Sequence, residues 1–174
     1  MDARFVKEII LKQYRFNLAF AEKLVDDIPE ELMCRTPSEG LENHPAFTLG
    51  HLVTAAAKTV EDLGGNAEVP DGWADLFLRK GPGDPRTPVK DISLYPSKKI
   101  LLEELKRQHL RVEMVLKNST DRFLLSNCAW RFEKYFPTTL DLVMFMCISH
   151  ESMHLSQLSA WRRAMGLTSA LATL

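Results

Sequence analysis

The stretch Thr138–Gly166 limits the possible folds of this chain more than any other part of its sequence. Its apolar side chains recur at helical spacing, and serines form a row of small side chains on another face. Thr138 is a candidate N-cap, with Asp141 in the first turn, where a carboxylate suits the helix dipole. So many apolar and small positions predict a helix that is buried on more than one side, inside a bundle or at a dimer interface.

Three further helices are predicted from the same periodicity, at residues Asp2–Asp27, Asn43–Leu63 and Ser97–Asn118. No segment carries a convincing strand pattern. Residues 64–96 contain five of the eight glycines and five of the nine prolines, which is typical of a loop. The fold class is therefore all-α: a four-helix bundle with a long crossover between helices 2 and 3, in one domain over residues 1–174.

Two histidines lie one helical turn apart in the last helix, in the string H-E-x-x-H formed by His150, Glu151 and His154. Residues four apart share a helix face, so both imidazoles can bind one metal ion. The same string occurs in zinc proteases, where the glutamate is a general base. Those enzymes take a third ligand from downstream, whereas residues 155–174 contain no His, Asp, Glu or Cys. The protease interpretation is therefore rejected.

A third ligand must come from earlier in the chain, and His51 is the best candidate. It lies in the middle of helix 2 beside Gly50, where a neighbouring element can approach closely. Three imidazoles suit zinc, nickel, iron or cobalt and are a poor site for magnesium or calcium. A ferritin-like di-iron site is unsupported, because only one Glu-x-x-His motif is present, Glu151 with His154. His109 lies on an apolar helix face and is predicted to be a hydrogen-bonded core residue.

Composition argues against several classes of partner. The formal net charge is −1 and the basic residues of helix 3 lie on what is expected to be a solvated face, so we expect no nucleic-acid partner. No apolar run is long enough to span a bilayer and no signal peptide is evident, so we expect no membrane association. The three cysteines Cys34, Cys128 and Cys147 are odd in number and scattered, which indicates a reducing, cytoplasmic location.

Two local motifs resemble the DinB-like superfamily. Residues Asn43–Leu52 read NHPAFTLGHL, similar to the NHPAWHLGHL stretch of that family. His150–Gln157, followed by Arg162–Arg163 and Gly166–Leu167, resembles the closing HExxHxGQ…RR…LGL segment. The sequence departs from the family at Ser156, where many relatives have glycine. It departs again at Thr48, where histidine or arginine is common; neither position is a ligand.

The resemblance implies a four-helix bundle, often dimeric, that binds one divalent metal through a histidine triad. Position by position, that triad is His51, His150 and His154, with zinc or nickel as the first candidates and iron or cobalt as others. Gln157 follows His154 by one turn and is expected to face the same cavity, in contact with a ligand or with substrate. Cys147 precedes His150 on the same stripe and is a candidate fourth ligand, although buried thiols are usually inert.

Two functions remain open at this point. In the first, the chain is a metalloenzyme for a small molecule, because characterised relatives include transferases and isomerases that use low-molecular-weight thiols. Metal-assisted hydrolysis is a variant of this hypothesis. Glu151 is then a candidate base or orienting group, and Trp73, Phe77 and Tyr95 are candidates to close the pocket. In the second, the protein is a non-catalytic, stress-linked bundle whose metal site is structural or vestigial. The resemblance also implies a homodimer.

Overall fold

The computed structural model describes residues 3–79, 81, 84 and 86–174, and this part of the chain is helical without any strand. An isolated bridge joins Asn127 to Thr138. The all-α prediction is therefore confirmed. In chain order the helices are α1 (Ala3–Val25), α2 (Pro45–Asp62), α3 (Trp73–Phe77), α4 (Lys98–Asn118), α5 (Asp121–Leu124), α6 (Thr139–Met144), a π-helical segment (Phe145–His150) and α7 (Glu151–Ala164).

Side-chain caps fix the starts of α2, α4 and α6 where the sequence predicts them. The His44 ring accepts the Phe47 N–H at the start of α2, with Pro45 in the first turn. Ser97 caps α4. At α6, Thr138 and Asp141 form a reciprocal capping box, which satisfies two backbone donors that the helix itself cannot pair.

The last predicted helix, Thr138–Gly166, is not one continuous α-helix. The segment Phe145–His150 is π-helical, so α6 and α7 meet across wider turns. A change of register cannot be read from the sequence here, because apolar and small residues lie on all sides of this helix. Segments of this kind occur frequently at functional sites, and here His150 is the last residue of the segment.

The connection between α2 and α4 includes one short helix. Trp73 and Phe77 of α3 are buried and Leu76 is half-buried, so the apolar face of this short helix packs into the core. Residues 80, 82, 83 and 85 of the predicted crossover lie outside the described residues, as does Asp2, the predicted start of the first helix. The segment 119–137, which joins α4 to α6, contains the short helix α5.

The long helices pack around two buried apolar clusters. α2 packs along α4 and against α7, and α1 contacts α4, α7 and the π-helical segment. One cluster includes Leu49, Phe77 and Trp161, and the other includes Ile10, Val112 and Cys147. Helices α2 and α7 therefore run side by side, which brings His51 close to the H-E-x-x-H string.

Buried Arg162, one of the two arginines in the family-like closing segment, is structural. Its guanidinium donates to the Asp27 carboxylate and to the backbone oxygens of Leu24 and Thr168. These hydrogen bonds hold the segment around Thr168, which follows α7, against the C-terminal end of α1. Among the helices of the described residues, none is long and apolar enough to cross a membrane.

Candidate metal centre

His51 is held by the segment that follows α2. Its Nδ1 lies 3.0 Å from the Phe77 carbonyl oxygen and must donate a proton to it. The Nε2 atom of the neutral ring then carries a free lone pair, which is the arrangement of a metal-ligating histidine. The Phe47 ring stacks on the imidazole, with centroids 5.8 Å apart and planes 11° from parallel.

The other two histidines of the predicted triad lie next to His51. The ring centroid of His154 is 4.5 Å from that of His51 and 4.6 Å from that of His150. Each residue offers one nitrogen such that the three nitrogens lie within 4.8 Å of one another, close enough for one ion to bind all three. The structure thus brings together one residue from each of α2, the π-helical segment and α7, and α2 is far from the other two elements in the sequence.

The electrostatics of the triad favour the neutral, ligating form of each ring. Burial, followed by the neighbouring imidazoles of His51 and His150, lowers the pKa of His154 to about 3. Burial, followed by the nearby His51, lowers the pKa of His150 to about 4. Burial also lowers the pKa of His51. Because a protonated imidazole cannot bind a metal, this environment prepares the triad for an ion.

The donor set agrees with a divalent transition metal. His154 Nδ1 is buried without a hydrogen-bond partner in the described part of the chain, so one nitrogen at the site is left for another kind of contact. Three neutral nitrogen donors match zinc, nickel, iron or cobalt better than the oxygen-preferring magnesium and calcium. His51, His150 and His154 would hold the ion.

Glu151, between the two histidines, is engaged elsewhere. His109 Nε2 on α4 donates to Glu151 Oε1 at 2.7 Å, and both side chains are buried. The Tyr14 ring stacks on His109 with centroids 3.7 Å apart. Burial raises the pKa of Glu151, and the His109 contact opposes that rise. The prediction that His109 is a hydrogen-bonded core residue is confirmed, and the role of Glu151 as a base remains a prediction.

Cys147 lies in the buried core and is not part of the histidine cluster. Burial raises the pKa of its thiol well above the ordinary value, and nearby Glu151 adds to that rise. A protonated thiol is a poor metal ligand. Trp73, Phe77 and Tyr95 are also buried. Of these, Phe77 contacts the site through its backbone carbonyl oxygen, which accepts a hydrogen bond from His51.

A cleft of about 520 Å³ opens beside the triad, lined by His51, His154 and Gln157. Gln157 is exposed, and its Oε1 accepts from Asn43 Nδ2 at 3.1 Å. The cleft also contains Arg79, which sequence reasoning missed. Arg79 follows α3 in the glycine- and proline-rich connection, where no periodicity indicates which way a side chain points. Asn43 could have been found, since it begins the NHPAF motif.

Gly50 gives room for the segment that holds His51. A Cβ at this position would lie 2.2 Å from the ring of Phe77, which is fully buried. We expect Gly50→Ala to cost about 1–3 kcal/mol of unfolding free energy by overpacking. Because the Phe77 carbonyl orients His51, zinc affinity should also fall about tenfold. Denaturant unfolding and zinc titration measure the two effects.

The Phe77→Leu background serves as the control for this clash. In the Phe77→Leu protein, Gly50→Ala should lower the unfolding free energy by less, because the smaller side chain leaves space for the new methyl group. Equal or greater stability of Gly50→Ala in the otherwise native protein would contradict the packing argument.

Comparison with known proteins identifies one family. A model described as the DinB superfamily matches residues 13–158, which is most of the chain and includes all three histidines of the triad. No curated protein matches the chain. No solved structure matches it.

Proposed function

Because the chain belongs to the DinB superfamily, we propose that it is a metal-dependent enzyme that acts on a small molecule with the help of a low-molecular-weight thiol. The observation that supports this most is the position of the triad. Three neutral histidines lie together at the side of an open cleft of about 520 Å³. Catalytic sites of this type keep positions open for substrate, whereas structural sites are closed by four protein ligands.

When bound, a divalent ion with three neutral ligands supplies Lewis acidity, which lowers the pKa of a thiol or water beside it. Zinc and nickel are the first candidates. His51, His150 and His154 would hold the ion, and the Phe77 carbonyl would keep the His51 ring in the ligating tautomer. Gln157 and Asn43, hydrogen-bonded to each other, present amide groups at the cleft that can orient a polar substrate. The reaction is then thiol transfer or isomerisation, with hydrolysis as the variant.

The non-catalytic alternative requires a closed site. A metal with only a structural role would be expected to have a fourth protein ligand. Among the described residues, no fourth His, Cys, Asp or Glu joins the cluster. The open site therefore favours chemistry over structure.

We further infer that the chain forms a single four-helix-bundle domain and acts as a homodimer, as the family resemblance implies, and that it is cytoplasmic, as its scattered cysteines indicate. The long helices α1, α2 and α4, and the α6–α7 unit, support the bundle. Phe5, Ile9 and Phe16 of α1 are 63%, 49% and 44% exposed, which supports a second copy as a partner.

Thiol binding tests the proposed function. Protein loaded with Co²⁺ in place of zinc is titrated with the neutral thiol 3-mercapto-1-propanol. We expect a sulfur-to-cobalt absorption band in the near ultraviolet that saturates with thiol. The Cys147→Ala variant is the control and should give the same band, because Cys147 is buried in the core away from the clustered ligands. Unchanged cobalt spectra at high thiol concentration would contradict the proposal.

A further inference from the structure

We propose that Arg79 binds a carboxylate of the substrate in the cleft beside His51 and His154. This inference rests on the proposed function and names the substrate class: a small organic acid that carries a single negative charge at the end away from the reacting atom. Arg79 is the positive side chain of this cleft that lies next to the triad.

The contacts of Arg79 place its guanidinium in the cleft. Its Cζ lies 4.5 Å from the centre of the Phe47 ring, the same ring that stacks on His51. Its Nη2 donates to Asn43 Oδ1 at 3.3 Å, and its Nη1 donates to the Arg86 backbone oxygen. A guanidinium has five N–H donors, so these two neutral acceptors leave donors for a ligand. The group is held against an aromatic face and keeps the planar fork that matches a carboxylate.

The charge of Arg79 is not neutralised within the described part of the chain, where no carboxylate forms an ion pair with it. Burial lowers the pKa of its guanidinium, and the more distant Asp84 only partly offsets this effect. Arg79 lies near the triad, because its guanidinium packs on the Phe47 ring that stacks on His51, and because it lines the same cleft as His51 and His154. A bound anion would therefore stabilise a cation that is now partly desolvated and unpaired.

The rest of the site adds positive charge and little negative charge near Arg79. Three neutral imidazoles would leave the double charge of a divalent ion uncompensated, and Glu151 is already paired with His109. Glu42 and Asp84 line the same cleft, and Asp84 is paired with Arg86. The carboxylate of Glu42 would repel a doubly charged phosphate more than a singly charged carboxylate. A monoanion is thus the ligand that this charge distribution suits best.

Arg86 provides a matched control in the same cleft. Its guanidinium forms an ion pair with the Asp84 carboxylate through Nε and Nη2. Loss of Arg86 therefore removes the same formal charge from the cleft, but one that a neighbour already neutralises. The comparison separates a specific contact with Arg79 from a general change in electrostatic potential.

The test uses two thiols of the same length, 3-mercaptopropionate and 3-mercapto-1-propanol, on Co²⁺-loaded protein. We expect the native protein to bind the carboxylate about tenfold more tightly than the alcohol, as one charge-assisted contact allows. Arg79→Gln should abolish this preference and leave the affinity for the alcohol within about twofold. Arg86→Gln should retain it. Circular dichroism melting curves check that both variants are folded.

Each other outcome has a definite meaning. A native protein that binds both thiols equally, or a preference that survives in Arg79→Gln, would overturn the role of Arg79 while the proposed function stands. If Arg86→Gln loses the preference for the carboxylate as fully as Arg79→Gln does, general electrostatics explains the preference. That result would also overturn the role of Arg79. Failure of both thiols to change the cobalt spectrum would overturn the proposed function, and this inference with it.

Discussion

Replacement of His51 by alanine should lower the affinity for Zn²⁺ by roughly a hundredfold or more, although His51 lies outside the H-E-x-x-H string. One ring nitrogen from each of His51, His150 and His154 lies within 4.8 Å of the other two. Without His51, two imidazoles remain, and two protein ligands are fewer than zinc sites ordinarily use. His150→Ala and His154→Ala should cause losses of similar size. Competition with a chromophoric chelator measures the affinities.

The same variants should remain folded. The three histidines are only half-buried, and their replacement breaks no buried ion pair, so the metal-free unfolding free energy should change by about 1 kcal/mol or less. If a variant loses the metal but keeps its far-ultraviolet circular dichroism spectrum, the lower zinc affinity results from the missing imidazole and not from unfolding. Zinc affinity that survives in His51→Ala would show that another residue completes the site.

Loss of one partner from the Glu151–His109 pair should have the largest effect on stability. His109→Leu leaves a buried carboxyl group without its hydrogen-bond partner, and Glu151 is only 3% exposed. Breaking a buried pair in this way costs about 3–5 kcal/mol of unfolding free energy. Urea unfolding of metal-free protein at neutral pH measures the loss. Folded His109→Leu protein should still bind one zinc ion, because His109 is not in the triad.

The double replacement of the pair makes this test sharper. In His109→Leu combined with Glu151→Met, both polar groups are absent, and apolar side chains of similar size fill the space. The double variant should then be more stable than either single variant, because neither of the two positions keeps a buried polar group that has lost its partner. If the single variants lose less than about 1 kcal/mol of unfolding free energy, that result would contradict a tightly coupled buried pair.

Much of the helical framework could be predicted from the sequence because local chemistry determines it. Caps at His44, Ser97 and Thr138 and apolar periodicity fix where helices begin and which faces are buried. The triad could also be predicted. Two of its members are four residues apart, and the third lies in a motif with a recognisable family resemblance. The family model confirms the resemblance.

Other features depend on tertiary contacts that no local pattern records. The π-helical segment Phe145–His150 changes register inside a stretch that is apolar on all sides. The partner of Glu151 is His109, on a different helix and 42 residues away. Arg79 reaches the cleft from a connection without periodicity. The sequence therefore predicts the three clustered histidines better than the residues that surround them.

The most direct test of the central claim is the metal content of the protein itself. Protein without an affinity tag is incubated with zinc, dialysed and subjected to elemental analysis, with the His51→Ala and His154→Ala variants treated in parallel. We expect about one zinc ion per native chain and almost none in either variant. Native protein that retains no zinc, or variants that retain as much as the native protein, would contradict a metal centre formed by His51, His150 and His154.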